Sequence, residues 1–165
     1  MKKQTLYLTR GALIAAIYVV MTYVASLLGL SSGPIQFRIS EALCIRPLFM
    51  PEAIVGLTVG CFISNLVTGC ALWDVIFGSL ATLIGALGAR LFIYVPHKLK
   101  WLSTLPTVLA NAIIVPFVLI YAYGAPDAYP YLMLTVGIGE IVCAGILGSI
   151  LYYSLSRSAF KRFFK

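Results

Sequence analysis

The sequence predicts an all-α integral membrane protein: a bundle of six transmembrane helices forming a single domain over residues 1–165, with both termini in the cytoplasm. Three observations carry that expectation. Of the 165 residues, 61% are hydrophobic and 10% charged, with a mean hydropathy of +1.01, more apolar than a soluble core requires. The apolar residues fall in runs of spanning length, roughly 20 residues each, so the chain holds at most about six or seven spans and almost nothing soluble. The residues behind the net charge of +7 sit at the ends of those runs: Lys2, Lys3 and Arg10 at one terminus, Arg157, Lys161, Arg162 and Lys165 at the other. That placement marks topology, not nucleic-acid binding.

The first span lies near residues 6–30. Its basic start is that of a signal peptide, but the run from Gly11 to Leu30 is span-length and lacks a clear small-residue cleavage site, so it reads as a retained helix. Gly11 and Ala15, with Ala12 and Ala16, form two adjacent small-xxx-small patterns that suit docking of a partner protein as well as internal packing.

The second span, near 36–50, is one that hydropathy alone would discard, because GPIQFRISEALCIRPLFM carries Arg38, Glu41 and Arg46. Parity requires it. Without this crossing, the cluster His97, Lys98 and Lys100 and the basic C-terminal tail fall outside while the N-terminal cluster stays inside, against the lysine and arginine bias. With it, the outer loops Ser31 to Gln36, Gly69 to Trp73 and Gly124 to Pro130 hold no lysine or arginine, and only Arg38 stands near the outer end. Pro34 and Pro47 make the span short and partly non-helical, which is tolerated only where backbone is covered by protein or lines a cavity. A binding site is expected beside it.

The remaining spans lie near 53–68, 72–95, 105–123 and 130–156. Small residues recur at helical spacing in three of them: Gly56, Gly60 and Ser64; Ala81, Gly85 and Ala89; Ala144 and Gly148. Such stripes let backbones approach where lipid supplies no hydrophobic drive, so internal packing is the first reading for them.

Five acidic residues remain to be explained. Glu52 and Asp127 fall where solvent accounts for them. Glu41, Asp74 and Glu140 lie within spans, where a carboxylate costs a few kcal/mol or more unless it faces a cavity or a partner. Glu140, with Gly137, Ala144 and Gly148 on its face, points into the bundle, either at a ligand or at a neighbouring helix or Arg38. Asp74 carries the same two readings, with Trp73 beside it as a stacking surface. The amides of Asn65 and Asn111 match a heterocyclic edge or serve as interhelical glue. Arg38 and Glu41, three apart, can pair with each other, Gln36 and Arg38 can line the mouth, and Arg46 can snorkel to the cytoplasmic face. Cys44, Cys61, Cys70 and Cys143 form no close-spaced pair and the one histidine is His97, so neither a metal site nor disulfides are expected. No phosphate loop and no Ser/His/Asp set is present, so the chain is not expected to hydrolyse ATP or do standard nucleophilic chemistry by itself, and energy must come from elsewhere.

The stretch GPIQFRISEALCIRPLFMPEAIVGLTVGCFISNL followed by LWDVIFGSLATLIGAL is similar to the queuosine-precursor transporter family, QueT, with the likeness densest between Gly33 and Leu87. The resemblance implies the substrate-specific (S) component of an energy-coupling factor (ECF) transporter, a six-helix protein of the prokaryotic cell membrane that captures a scarce nutrient outside. It further implies a membrane coupling protein docked on small residues of the first helix, here Gly11, Ala12, Ala15 and Ala16, and two cytoplasmic ATPases that use ATP, with no cofactor on this chain. The implied substrate is a deazaguanine: the aminomethyl or cyano queuosine precursor, or queuine. Chemistry suits it, since one carboxylate can accept the ring N–H groups and a second the protonated amine, roles expected of Glu140 and Asp74 in either order. Trp73 or a tyrosine of the Tyr129 and Tyr131 region would stack on the ring, and Asn65 and Asn111 would meet its carbonyl and nitrogens. A competing reading is a self-sufficient, ion-coupled secondary transporter of a small heterocyclic nutrient, with Glu140 and Asp74 relaying protons, though no internal repeat supports it. An intramembrane enzyme is disfavoured because no nucleophile or metal set accompanies the carboxylates.

Overall fold

The computed structural model describes residues 3–30 and 36–156. The tail residues Arg157, Lys161, Arg162 and Lys165, Lys2 at the start, and the loop stretch 31–35 with Pro34 lie outside the described residues. Helices α1 (Lys3–Leu27), α2 (Glu52–Val67), α3 (Leu72–Leu91), α4 (Leu105–Tyr123), α5 (Tyr129–Glu140) and α6 (Gly148–Ser156) account for most of the chain. A 3₁₀ segment, Ile39–Leu48, precedes α2, and a π-helical turn, Ile141–Leu147, joins α5 and α6 into one rod of 28 residues.

Four helical stretches are long and apolar enough to cross a membrane: Lys3–Leu27, Leu72–Tyr94, His97–Tyr123 and Tyr129–Ser156. Helix α2 is a shorter apolar helix of 16 residues, about 24 Å at 1.5 Å per residue against a hydrocarbon core of roughly 30 Å. The outward faces are apolar as lipid demands: Leu13, Val20, Leu66, Ile84, Leu109 and Ile150 are among many large hydrophobic side chains left exposed.

The 3₁₀ segment is the centre of the bundle. It packs against α1, α2, α3, α6 and the π turn, and Ser40 through Ile45 are all buried. Its geometry follows from its sequence, because Pro47 within it cannot donate to an α-helical ladder. At about 2.0 Å rise per residue its ten residues reach roughly 20 Å, where an α-helix would reach about 15 Å. The polar residues of this segment are thus carried through the molecule wrapped in protein.

Small residues set the helix pairs. A Cβ on Gly56 would lie 2.6 Å from the Gly11 carbonyl oxygen, and one on Gly60 would lie 2.9 Å from Tyr18 Cβ and 3.1 Å from Ala15 Cα. Gly85 and Gly88 do the same for α4, meeting Thr107 Oγ1 at 2.5 Å and Pro106 Cβ at 2.4 Å. Gly11 and Ala15 therefore pack against α2 within the chain, while Ala12 and Ala16 remain exposed. The two stripes of α1 have separate surroundings, because two residues one apart on a helix point about 100° away from each other.

Solvent does not account for Glu52, contrary to the expectation from sequence: it is 5% exposed and its Oε1 lies 3.4 Å from Arg10 Nη1. The tight α1 to α2 contact at Gly11 and Gly56 brings the two charges together and covers Glu52, while Arg10 stays partly exposed.

Candidate functional site

A cavity of about 370 Å³ opens at one end of the bundle, lined by Thr22 and Ser26 of α1, Gln36 and Arg38, Asn65 and Thr68 of α2, Gly69, Cys70, Asp74 of α3, and Leu119 and Tyr123 of α4. The described lysines, Lys3, Lys98 and Lys100, and Arg10, Arg46 and Arg90, belong to the helix ends and connections of the other end. Sequence reasoning named Gln36, Arg38, Asn65 and Asp74, and the fold brings these four together.

Asp74 organises the mouth. It sits in the first turn of α3 and is 5% exposed. Arg38 Nη2 lies 3.4 Å from both of its carboxylate oxygens, and Tyr123 donates to Oδ2 at 3.2 Å. The Tyr123 hydroxyl also accepts from the Ala71 backbone N–H at 2.9 Å, tying the end of α4 to the start of α3. Asn65 donates to the Asp74 carbonyl oxygen at 3.2 Å and so aligns α2 with α3. Gly78 leaves room for this cluster, since a Cβ there would lie 3.1 Å from Asn65 Nδ2 and 3.2 Å from Asp74 Oδ1. Arg38 is thus bridged to Asp74 and not to Glu41: the start of the 3₁₀ segment turns its side chain toward the mouth.

Below this layer lies a second polar group. Glu41 is fully buried and accepts from the Tyr18 hydroxyl and, at 2.9 Å, from the Cys44 thiol. Glu140, at the end of α5, is 5% exposed and stands close enough to feel the charges of Glu41 and Arg38, with the Asn111 amide beside it. Oε2 of Glu140 and Nδ2 of Asn111 nonetheless lack a hydrogen-bond partner, as does Thr107 Oγ1 one turn earlier on α4. The π turn begins immediately after Glu140, and such turns are frequent at functional sites. The outer and inner groups are separated by the Gln36 to Arg38 stretch, which is pressed onto α5: a Cβ on Gly139 would fall 2.2 Å from the Gln36 carbonyl oxygen.

Three of the predicted residues therefore stand away from the cavity lining. Glu41, Glu140 and Asn111 form the inner group. Trp73 does not face the cavity either. It is 59% exposed, stacks on Phe77 at 5.7 Å and 19°, and with Phe117 and Tyr121 lines an apolar groove on the outside of α3 and α4. The reason is helical phase, because Trp73 precedes Asp74 and a neighbour on a helix turns about 100° away. Tyr129 packs its ring on Phe117 and donates to the Ile113 carbonyl, and Tyr131 is exposed, so neither lines the cavity. The aromatic that does is Tyr123. Sequence reasoning missed Tyr123, Thr22 and Gly139, and only the position of Tyr123 in the last turn of a span facing the Asp74 end offered a signal. Among the described residues no group of three His, Cys, Asp or Glu side chains could hold a metal ion.

Comparison with known proteins identifies a family. The sequence matches the QueT transporter family over residues 8–157. It is 43% identical over 95 residues to the Queuosine precursor transporter QueT of Lactococcus lactis subsp. cremoris (strain MG1363), a match covering 56% of this chain and 55% of that protein. The chain thus aligns with about half the length of this curated relative. No solved structure gives a significant match. The chain belongs to the QueT transporter family, and is a helical, multi-pass membrane protein.

Proposed function

We propose that this member of the QueT transporter family captures a queuosine precursor outside the cell, as the substrate-binding component of an ECF-type importer in a prokaryotic membrane. The observation that supports it most is the polar cavity of about 370 Å³ opening at the end of the bundle away from the lysines. A cavity of that size falls in the range that holds small heterocycles. In it Asp74 accepts N–H groups of a deazaguanine in the aminomethyl, cyano or queuine form, and Gln36 and Asn65 meet its carbonyl and ring nitrogens. Tyr123 supplies the aromatic wall.

In this reading the 3₁₀ segment and α2 complete six crossings, and both termini lie in the cytoplasm with the basic clusters, as the lysine and arginine bias requires. ATP is used by two separate ATPases joined through a membrane coupling protein, which meets the exposed Ala12 and Ala16 face of α1. Calorimetric titration of the detergent-solubilised protein with the aminomethyl deazaguanine, against guanine and riboflavin, tests the substrate. Selective binding that Asp74→Asn weakens about ten- to a hundredfold is expected, the loss of one charge-assisted hydrogen bond of roughly 1.5–3 kcal/mol. Absence of binding to every deazaguanine would sink the substrate assignment.

A further inference from the structure

Besides Glu52, which is paired with Arg10, the interior holds three carboxyl groups, Asp74, Glu41 and Glu140, each at most 5% exposed. Among the described residues one guanidinium, Arg38, lies among them: it bridges Asp74, and its charge also acts on Glu41 and Glu140. Two negative charges therefore lack a cation. Glu41 is met by two donors, Tyr18 and Cys44. Glu140 has an unpartnered Oε2 and faces Glu41 and Cys44 of the 3₁₀ segment, Arg38 before it, Asn111 of α4 and Cys143 of its own helical rod. An uncompensated carboxylate in such a place is neutralised either by a proton or by a cation.

From this arrangement we infer that Arg38 is a charge exchanger, so that binding of a ligand bearing an ammonium group releases one proton from Glu140, whereas a neutral ligand releases none. The inference rests on the deazaguanine reading and deepens it. In the empty site Arg38 neutralises Asp74 and Glu140 carries a proton. Arg38 Nη2 stands 3.4 Å from each Asp74 oxygen, longer than the roughly 2.7–2.9 Å of a tight charge-assisted pair. An entering ammonium group takes over Asp74, Arg38 turns inward to Glu41 and Glu140, and the Glu140 proton leaves to solvent. The count balances: one positive charge enters, one proton departs, and the buried net charge is unchanged. The Gln36 to Arg38 stretch, pressed on Gly139 next to Glu140, is the mechanical link between the two layers.

The test is calorimetric titration of the purified protein in buffers of different ionisation enthalpy, with the aminomethyl deazaguanine and with its neutral cyano analogue. About one proton released per amine ligand is expected and none for the nitrile. Affinity for the amine should accordingly rise with pH, by about tenfold per pH unit at its steepest, over the range in which Glu140 is protonated in the free protein and ionised in the complex, and level off outside it. Glu140→Gln should still bind the amine but release no proton. The infrared stretch of a protonated carboxyl group should be present in the ligand-free protein and disappear on amine binding, a readout that needs no variant. Amine binding without proton release, or release that persists in Glu140→Gln, would overturn the exchange and leave the substrate assignment standing; failure of both ligands to bind would overturn the two together.

Discussion

The mouth of the cavity depends on single atoms. The Tyr123 hydroxyl bridges the Ala71 N–H and the Asp74 carboxylate, so Tyr123→Phe leaves both short of a partner while keeping the ring. A loss of about 1 kcal/mol, roughly fivefold in ligand affinity, is expected, measured by titration. Gly139 is a sharper case. Its missing Cβ makes room for the Gln36 carbonyl oxygen, and Gly139→Ala would force the Gln36 to Arg38 stretch off α5. That substitution should weaken ligand binding at least about tenfold while the protein stays helical and monodisperse, because the displaced backbone carries Arg38 with it. Asp74, Arg38, Asn65 and Gln36 were legible from sequence as polar groups placed in an apolar chain. Tyr123 and Gly139 were not, because a tyrosine at a span end and a glycine in a span are ordinary until their neighbours across the bundle are known.

The glycines of α2 fit the surface of α1 so closely that a larger side chain has nowhere to go: Gly60→Leu would drive into Tyr18 and Ala15, a cost of roughly 1–3 kcal/mol or more. The thermal midpoint in detergent should fall, and more than for Ala16→Leu on the exposed face of α1. If the coupling protein meets that face, Ala16→Leu should instead impair copurification with the ATPase subunits while leaving ligand binding intact. Periodicity announced the stripes but not their partners, since a small-xxx-small pattern is the same whether the opposing backbone belongs to this chain or to another. The 3₁₀ geometry was only half visible: Pro47 ruled out a regular α-helix, and the burial of Ser40 to Ile45 by the elements packed around it is what makes an irregular polar segment tolerable.

For the molecule as a whole, the polar cavity lies away from the described lysines, and the orientation proposed from this has a natural probe. Cys70 lines the cavity and is partly exposed, whereas Cys44, Cys61 and Cys143 are buried. A membrane-impermeant maleimide added to intact cells should label Cys70, a deazaguanine should slow that labelling, and Cys70→Ser should abolish it. Labelling only after the membrane is broken would reverse the topology. Composition, spacing of apolar runs and the distribution of lysine and arginine are one-dimensional properties, and from them follow the membrane solvent, the helical class and the need to account for a charged second segment. The pairing of Arg38 with Asp74 instead of Glu41, the turning of Trp73 to the outside, the covered position of Glu52 and the division of the carboxylates into an outer and an inner layer depend on which helices touch. Those contacts join residues dozens of positions apart, and in a bilayer they are selected by close packing and by the need to pair every buried polar group, neither of which has a signature along the chain.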